Sequence, residues 1–94
     1  MPLQVELVSA DSRVWSGEAR EVIARTTEGD MGVLPGHAPV LAVLAAGQVR
    51  IMASDGGDVV ADVEDGFLSV EHDRVTVVSD SASLAGSPDG PGAG

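Results

Sequence analysis

The 94-residue chain contains no cysteine and no lysine. Without cysteine there is no disulfide framework, no thiolate nucleophile and no Cys-based zinc site, so nothing in the chain points to an oxidising compartment. Without lysine there is neither the phosphate-binding lysine of a P-loop nor an amine for a Schiff base. A G-x-S-x-G nucleophile elbow is missing as well. Long apolar runs are also lacking. The longest, Ala38 to Ala46, is far below the roughly 20 residues that span a bilayer, and the first ten residues carry no basic n-region. The expectation is a soluble chain without its own membrane anchor.

Charge of one sign is scarce. Fifteen Asp and Glu stand against five Arg, for a formal net charge of -10. Binding to nucleic acid depends on neutralising phosphates with cationic side chains, so this balance argues against a nucleic-acid partner. It argues equally against direct attraction to anionic lipid surfaces. Neutral or basic proteins, or cations, are the natural partners. The length corresponds to one small domain, which buries only roughly 60–65% of the surface its unfolded chain exposes.

What remains is a series of short β-rich runs broken at close intervals by turn residues, the signature of an all-β sandwich or barrel. Leu3 to Leu7 alternates apolar and polar residues strictly, as a half-buried strand requires. Arg13 to Trp15 reads as a short strand stopped by Ser16-Gly17, and Glu18 to Thr27 as a longer one rising into a Gly-rich turn. Met31 to Leu34 ends at Pro35-Gly36, which suits the centre of a type II turn. Ala38 to Ala46 fits a strand buried on both sides or a short helix equally by periodicity, and Pro39 and the Gly47 stop leave it short enough to read as strand. Gln48 to Met52 and Val59 to Val63 form a hairpin about Asp55-Gly56-Gly57-Asp58, and Phe67 to Val70 turns at Glu71-His72-Asp73 into Arg74 to Ser79. Beyond Leu84 the chain is Gly- and Pro-rich with nothing large to bury. The expectation is therefore a folded unit over residues 1–84 and a short disordered tail over 85–94.

Few side chains offer chemistry. His37 and His72 both fall in predicted turns. His72, between Glu71 and Asp73, has the right neighbours for a metal ligand or general base, but a hairpin apex has no walls to exclude water and reads as a solvated tip. Asp55, Asp58, Asp62, Glu64 and Asp65 straddle a hairpin and lack the spacing of a calcium loop. Trp15, the one Trp, reads as core before interface anchor. The segment Glu28 to Gly32 is more pointed: Gly29 and Gly32 are expected to reverse the backbone and push Asp30 and Met31 out at a loop tip beside Glu28.

The ordered set V-E-L-V-S-A-D (Val5 to Asp11), W-S-G (Trp15 to Gly17), E-G-D-M-G-V-L-P-G-H-A-P (Glu28 to Pro39), G-Q-V-R-I (Gly47 to Ile51), G-F-L-S-V (Gly66 to Val70) and V-T-V-V-S-D-S-A (Val75 to Ala82) resembles the amino-terminal domain of the epsilon subunit of bacterial F-type ATP synthases. The resemblance covers about Leu3 to Leu84. It implies a flattened sandwich of ten strands, without catalytic residues, cofactor or metal, at the foot of the rotating central stalk. Its partners would be the gamma subunit and the c-ring, on the cytoplasmic face of the cell membrane, with membrane association only through the complex. By motif match, Glu28, Gly29, Asp30 and Met31 would face the c-ring loops, which carry a basic residue in that family. Ser9, His37 and Ala42 would face gamma.

Members of that family usually continue into a carboxy-terminal helical hairpin that restrains ATP hydrolysis and in some members binds ATP. The Gly/Pro-rich end has neither helix formers nor an apolar stripe, so the expectation is rotor-to-ring coupling without helix-based inhibition. Two other classes fit the residues taken singly: a free-standing acidic β-sandwich module for another basic protein, and a small metal-dependent hydrolase using His37 or His72.

Overall fold

A computed structural model describes residues 2–84. The expected tail at 85–94 lies outside the described residues. The described chain forms nine strands: β1 (Leu3–Ser9), β2 (Arg13–Thr26), β3 (Gly29–Val33), β4 (Val40–Leu44), β5 (Gly47–Ala53), β6 (Asp58–Val63), β7 (Gly66–Glu71), β8 (Arg74–Ser79) and β9 (Ala82–Leu84). The all-β expectation holds. The count among the described residues is nine, not ten, and two strands differ from the expectation, one in extent and one in burial.

The first is β2. Ser16-Gly17 does not stop it, because Glu6 pairs with Ser16 and Val5 with Gly17 in one unbroken antiparallel ladder. A residue that favours a break is overridden when both of its neighbours are held by a partner strand. The resulting 14-residue strand is shared between two layers. Its first half pairs with β1, its second half with β3 and β5, and Thr26 at its end with Leu44 of β4. Pairing therefore runs β1-β8-β7-β4-β2 and returns from β2 to β1, closing a ring of five strands, with β5, β6 and β9 continuing from β2.

The second is β4. Its run of apolar residues suggested burial on both faces, yet Leu41 is 68% and Val43 50% exposed. Continuous hydrophobicity cannot tell a two-sided strand from a one-sided strand whose outer face is also apolar.

Alternation builds the core. Leu3, Val5 and Leu7 of β1 point inward with Val75 and Val77 of β8, Leu68 and Val70 of β7, and Leu44 of β4. The other layer contributes Val22, Ala24, Val33, Val49, Ile51, Ala61 and Val63. Trp15 is half-buried and packs against this cluster. At Pro35-Gly36 the His37 N–H donates to the Leu34 carbonyl at 3.1 Å and Gly36 has φ 87°, the type II turn its sequence implies.

Candidate functional site

The molecule offers surfaces, and each can be built from strand parity. On the outer side of the layer β4-β7-β8-β1 the register places Val43 beside Phe67, Phe67 beside Val78, and Val78 beside Val8. Val43, Phe67 and Val78 are 50%, 52% and 41% exposed, and Leu41 lies next to Val43 on the same face of β4. These side chains make an apolar row across adjacent strands, held in place by a core that fixes every second residue of the same strands. An aligned row of this kind is more informative than scattered exposed apolar residues, which are ordinary.

Ser9, His37 and Ala42 are not one cluster. Ser9 pairs with Ser79 at one end of this layer, and its hydroxyl donates to the Ser12 carbonyl at 3.3 Å. His37 follows the turn at the opposite end, where the Gly36 N–H donates to Asp73 Oδ1, and its Nδ1 lies 2.7 Å from the Ala38 carbonyl. Ala42 pairs with Leu68 in the middle and has the inward parity of β4, so it is half-buried while Leu41 and Val43 face out. The motif match drew on strand β4 and on the loop before it. It passed over Val8, Leu41, Val43, Phe67 and Val78; of these only Leu41 and Val43 carried a local signal, as apolar residues at both parities of β4.

The second surface is the β2–β3 hairpin. Its reversal occurs at Thr27-Glu28, three residues earlier than the expected tip at Asp30-Met31, and Asp30 and Met31 are strand residues instead of a loop tip. The Thr26 hydroxyl explains the shift: it donates to the Gly29 carbonyl at 2.7 Å and accepts the Glu28 N–H at 3.1 Å, closing the turn from inside. Gly29 takes φ 119°. Gly32 is extended, and among the described glycines it is not one with positive φ, which corrects the expectation that both glycines reverse the chain. Met31 packs against the core. Asp30 faces out beside its cross-strand partner Arg25, with Arg25 Nε 3.4 Å from Asp30 Oδ1.

A cleft of about 400 Å³ lies between this hairpin and β4, with Glu28, Asp30 and Met31 on one wall and Val40 to Val43 on the other. Thus Ala42 and the hairpin residues share one hollow. His72 sits in the tight β7–β8 turn with φ 52°. Of the acidic set about the β5–β6 hairpin, Asp55 accepts the Gly57 N–H at 3.0 Å and Asp62 the Gln48 amide at 3.3 Å. Among the described residues, no group of three or more His, Asp or Glu is arranged to hold a metal ion.

Residues 2–85 match the family described as the ATP synthase delta/epsilon chain, beta-sandwich domain. The chain is 54% identical over 83 residues to the ATP synthase epsilon chain of Streptomyces griseus, covering 88% of this chain and 67% of that one. It is 46% identical over 84 residues to the epsilon chain of Frankia casuarinae, covering 89% of this chain and 99% of the relative. Among solved structures, a chain in the Euglena gracilis mitochondrial ATP synthase assembly of OSCP, F1 and c-ring superposes with a TM-score of 0.83 at 25% identity. That match covers 88% of this chain and 53% of the Euglena chain, so the chain spans about half the length of that structural relative.

Proposed function

The chain belongs to the delta/epsilon-chain β-sandwich family of ATP synthase, and from that membership we propose that it is a non-catalytic rotor subunit of a proton-translocating F-type enzyme. In this reading it joins the gamma subunit to the c-ring at the cytoplasmic face of the membrane, and it reaches the membrane only through the complex. The observation that carries it is the pair of distinct surfaces on one closed body. The apolar row Val43–Phe67–Val78–Val8 suits a lasting protein contact. The hairpin bearing Glu28 and Asp30 suits a polar, charge-guided one.

Physical requirements favour this division. A coupling element must turn as a unit, and a ring of strands closed through β2 resists shear because no layer can slide without breaking a ladder. The shaft contact has to persist, which apolar burial provides. Contact with polar ring loops is a matter of exposed charges, each worth on the order of 1 kcal/mol or less, so several act together. The net charge of -10 steers such a body toward basic surfaces. Gamma is assigned to the apolar row with Ser9 and His37 at its two ends, and the ring to Glu28, Gly29, Asp30 and Met31.

Titration of the purified chain against its cognate gamma subunit tests the assignment. Wild type binds, and Phe67→Asp weakens binding roughly tenfold or more by placing a charge in the middle of the row. Gamma binding untouched by Phe67→Asp and by Val78→Asp removes the assigned surface. Failure of the wild type to bind at all supports instead a module for a different basic partner.

A further inference from the structure

The strand β3 carries Asp30 along a ridge between two hollows. On one side is the cleft toward β4. On the other is a groove of about 440 Å³ lined by Ile23, Arg25, Gly47, Gln48 and Arg50, with Asp30 on its rim. Asp30 is thus the residue that both hollows share within the hairpin. Its carboxylate is already engaged. Arg25 stands directly opposite in the β2–β3 register, and its Nε lies 3.4 Å from Asp30 Oδ1.

Two features fix Arg25 in that role. Its aliphatic stem passes over Gly47, where a Cβ would meet Arg25 Cδ at 3.4 Å, so the guanidinium is delivered from a defined corner. Its backbone carbonyl accepts the Ala45 N–H at 3.0 Å, tying the same residue to the chain leaving β4. Yet the pair itself is open to water, with 61% and 68% of the two side chains exposed. Exposed pairs are weak and exchange readily for a better partner. Glu28, at the turn, makes no ion pair among the described residues.

We propose that Arg25 is a positioning residue, which holds Asp30 in an internal ion pair that a cationic side chain of the docking partner must replace. The inference rests on the ring-facing reading of the hairpin and deepens it. Of the two carboxylates at the end of the hairpin, Glu28 is offered freely and Asp30 conditionally. A partner loop presenting a guanidinium or ammonium group in the cleft exchanges with Arg25, whereas a neutral polar loop has nothing to offer in return. Arg25 therefore lowers affinity for a cationic partner by the cost of breaking its pair with Asp30, a cost that a neutral loop leaving the pair intact does not meet.

The test titrates the labelled chain into detergent-solubilised c-ring carrying bound gamma subunit, at low and high salt. Arg25→Gln strengthens docking roughly two- to fivefold and steepens its salt dependence. Arg25→Lys restores wild-type affinity. In an Asp30→Asn background the gain from Arg25→Gln vanishes, which a purely structural role of Arg25 would not produce. Arg74→Gln makes the same change in net charge away from the hairpin and leaves docking unaltered. Equal affinities for wild type and Arg25→Gln, a gain that survives Asp30→Asn, or an equal gain from Arg74→Gln overturns the inference while leaving the hairpin's role standing. Wild-type docking by both Asp30→Asn and Glu28→Gln removes the ring-facing reading itself. Unfolding curves for each variant, matching wild type, tie the differences to docking.

Discussion

The Asp73 carboxylate holds the Pro35-Gly36 turn: its Oδ1 accepts the Gly36 backbone N–H at 2.7 Å across 37 positions of sequence. Asp73 itself is in the left-handed region at φ 61°, and its carbonyl accepts the Gln4 N–H at 2.8 Å. One residue in the β7–β8 turn thus fastens both the start of β1 and the loop that carries His37 toward β4.

Replacing Asp73 separates these contributions. Asp73→Asn keeps an acceptor and a side chain tolerant of positive φ, and should alter stability by well under 1 kcal/mol. Asp73→Ala loses a hydrogen bond and adds left-handed strain, together about 2 kcal/mol, or on the order of 10 °C in Tm for a domain of this size. Thermal unfolding of the two variants checks the difference. The alanine variant should also bind gamma more weakly, since the His37 loop is no longer fastened.

How much of this was legible in the letters depends on whether the deciding partner was local. Pro35-Gly36 set its turn by its own dihedral preferences, and Leu3-Gln4-Val5-Glu6-Leu7 set a strand by its own alternation. The continuity of β2 was hidden because Gly17 is kept extended by Val5, a partner from another strand. The hairpin tip was misplaced by three residues because the Thr26 hydroxyl, a side chain that reads as strand, closes the turn. Arg25 drew no attention as a site residue, although a register placing Arg25 opposite Asp30 follows once the turn is moved to Thr27-Glu28. The apolar row was invisible for a different reason: Val8, Val43, Phe67 and Val78 come from four strands and align only after pairing.

Gly66 is irreplaceable for steric reasons. A Cβ at this position would be driven into the Val78 carbonyl oxygen and would lie 2.8 Å from Ser79 Cα, both rigid backbone of β8. Gly66→Ala should therefore destabilise the domain by about 3 kcal/mol, at the upper end for overpacking, because backbone cannot yield as a side chain can. Urea unfolding measures it. A loss below about 1 kcal/mol would mean that the β7–β8 pairing of Gly66 with Ser79 is looser than this geometry.

The two hairpin glycines should behave differently. Gly29 has φ 119° with open space around it, so Gly29→Ala suffers backbone strain without a clash and costs about 1–3 kcal/mol. At Gly32 a Cβ would meet the Glu21 carboxylate oxygen at an ordinary 3.5 Å. Gly32→Ala should be neutral, or stabilising by about 0.5 kcal/mol through reduced freedom of the unfolded chain. Equal losses at both positions would contradict the early turn at Thr27-Glu28.

Thr26 is the residue on which the hairpin's presentation turns. It is 8% exposed, and its hydroxyl serves both the Gly29 carbonyl and the Glu28 N–H. Thr26→Val preserves shape but strands these two groups, at a cost of about 1–2 kcal/mol, whereas Thr26→Ser retains the hydroxyl and its two hydrogen bonds. The effect should be local as well as global: faster amide exchange at Glu28 and docking to the c-ring weakened several-fold in the valine variant only. If stability falls in Thr26→Val while docking and Glu28 exchange stay at wild-type values, the hydroxyl supports the fold alone. The angle at which Glu28 and Asp30 are offered would then be set elsewhere, by the Arg25 pair and by the Thr27 N–H donated to the Val43 carbonyl at 3.0 Å.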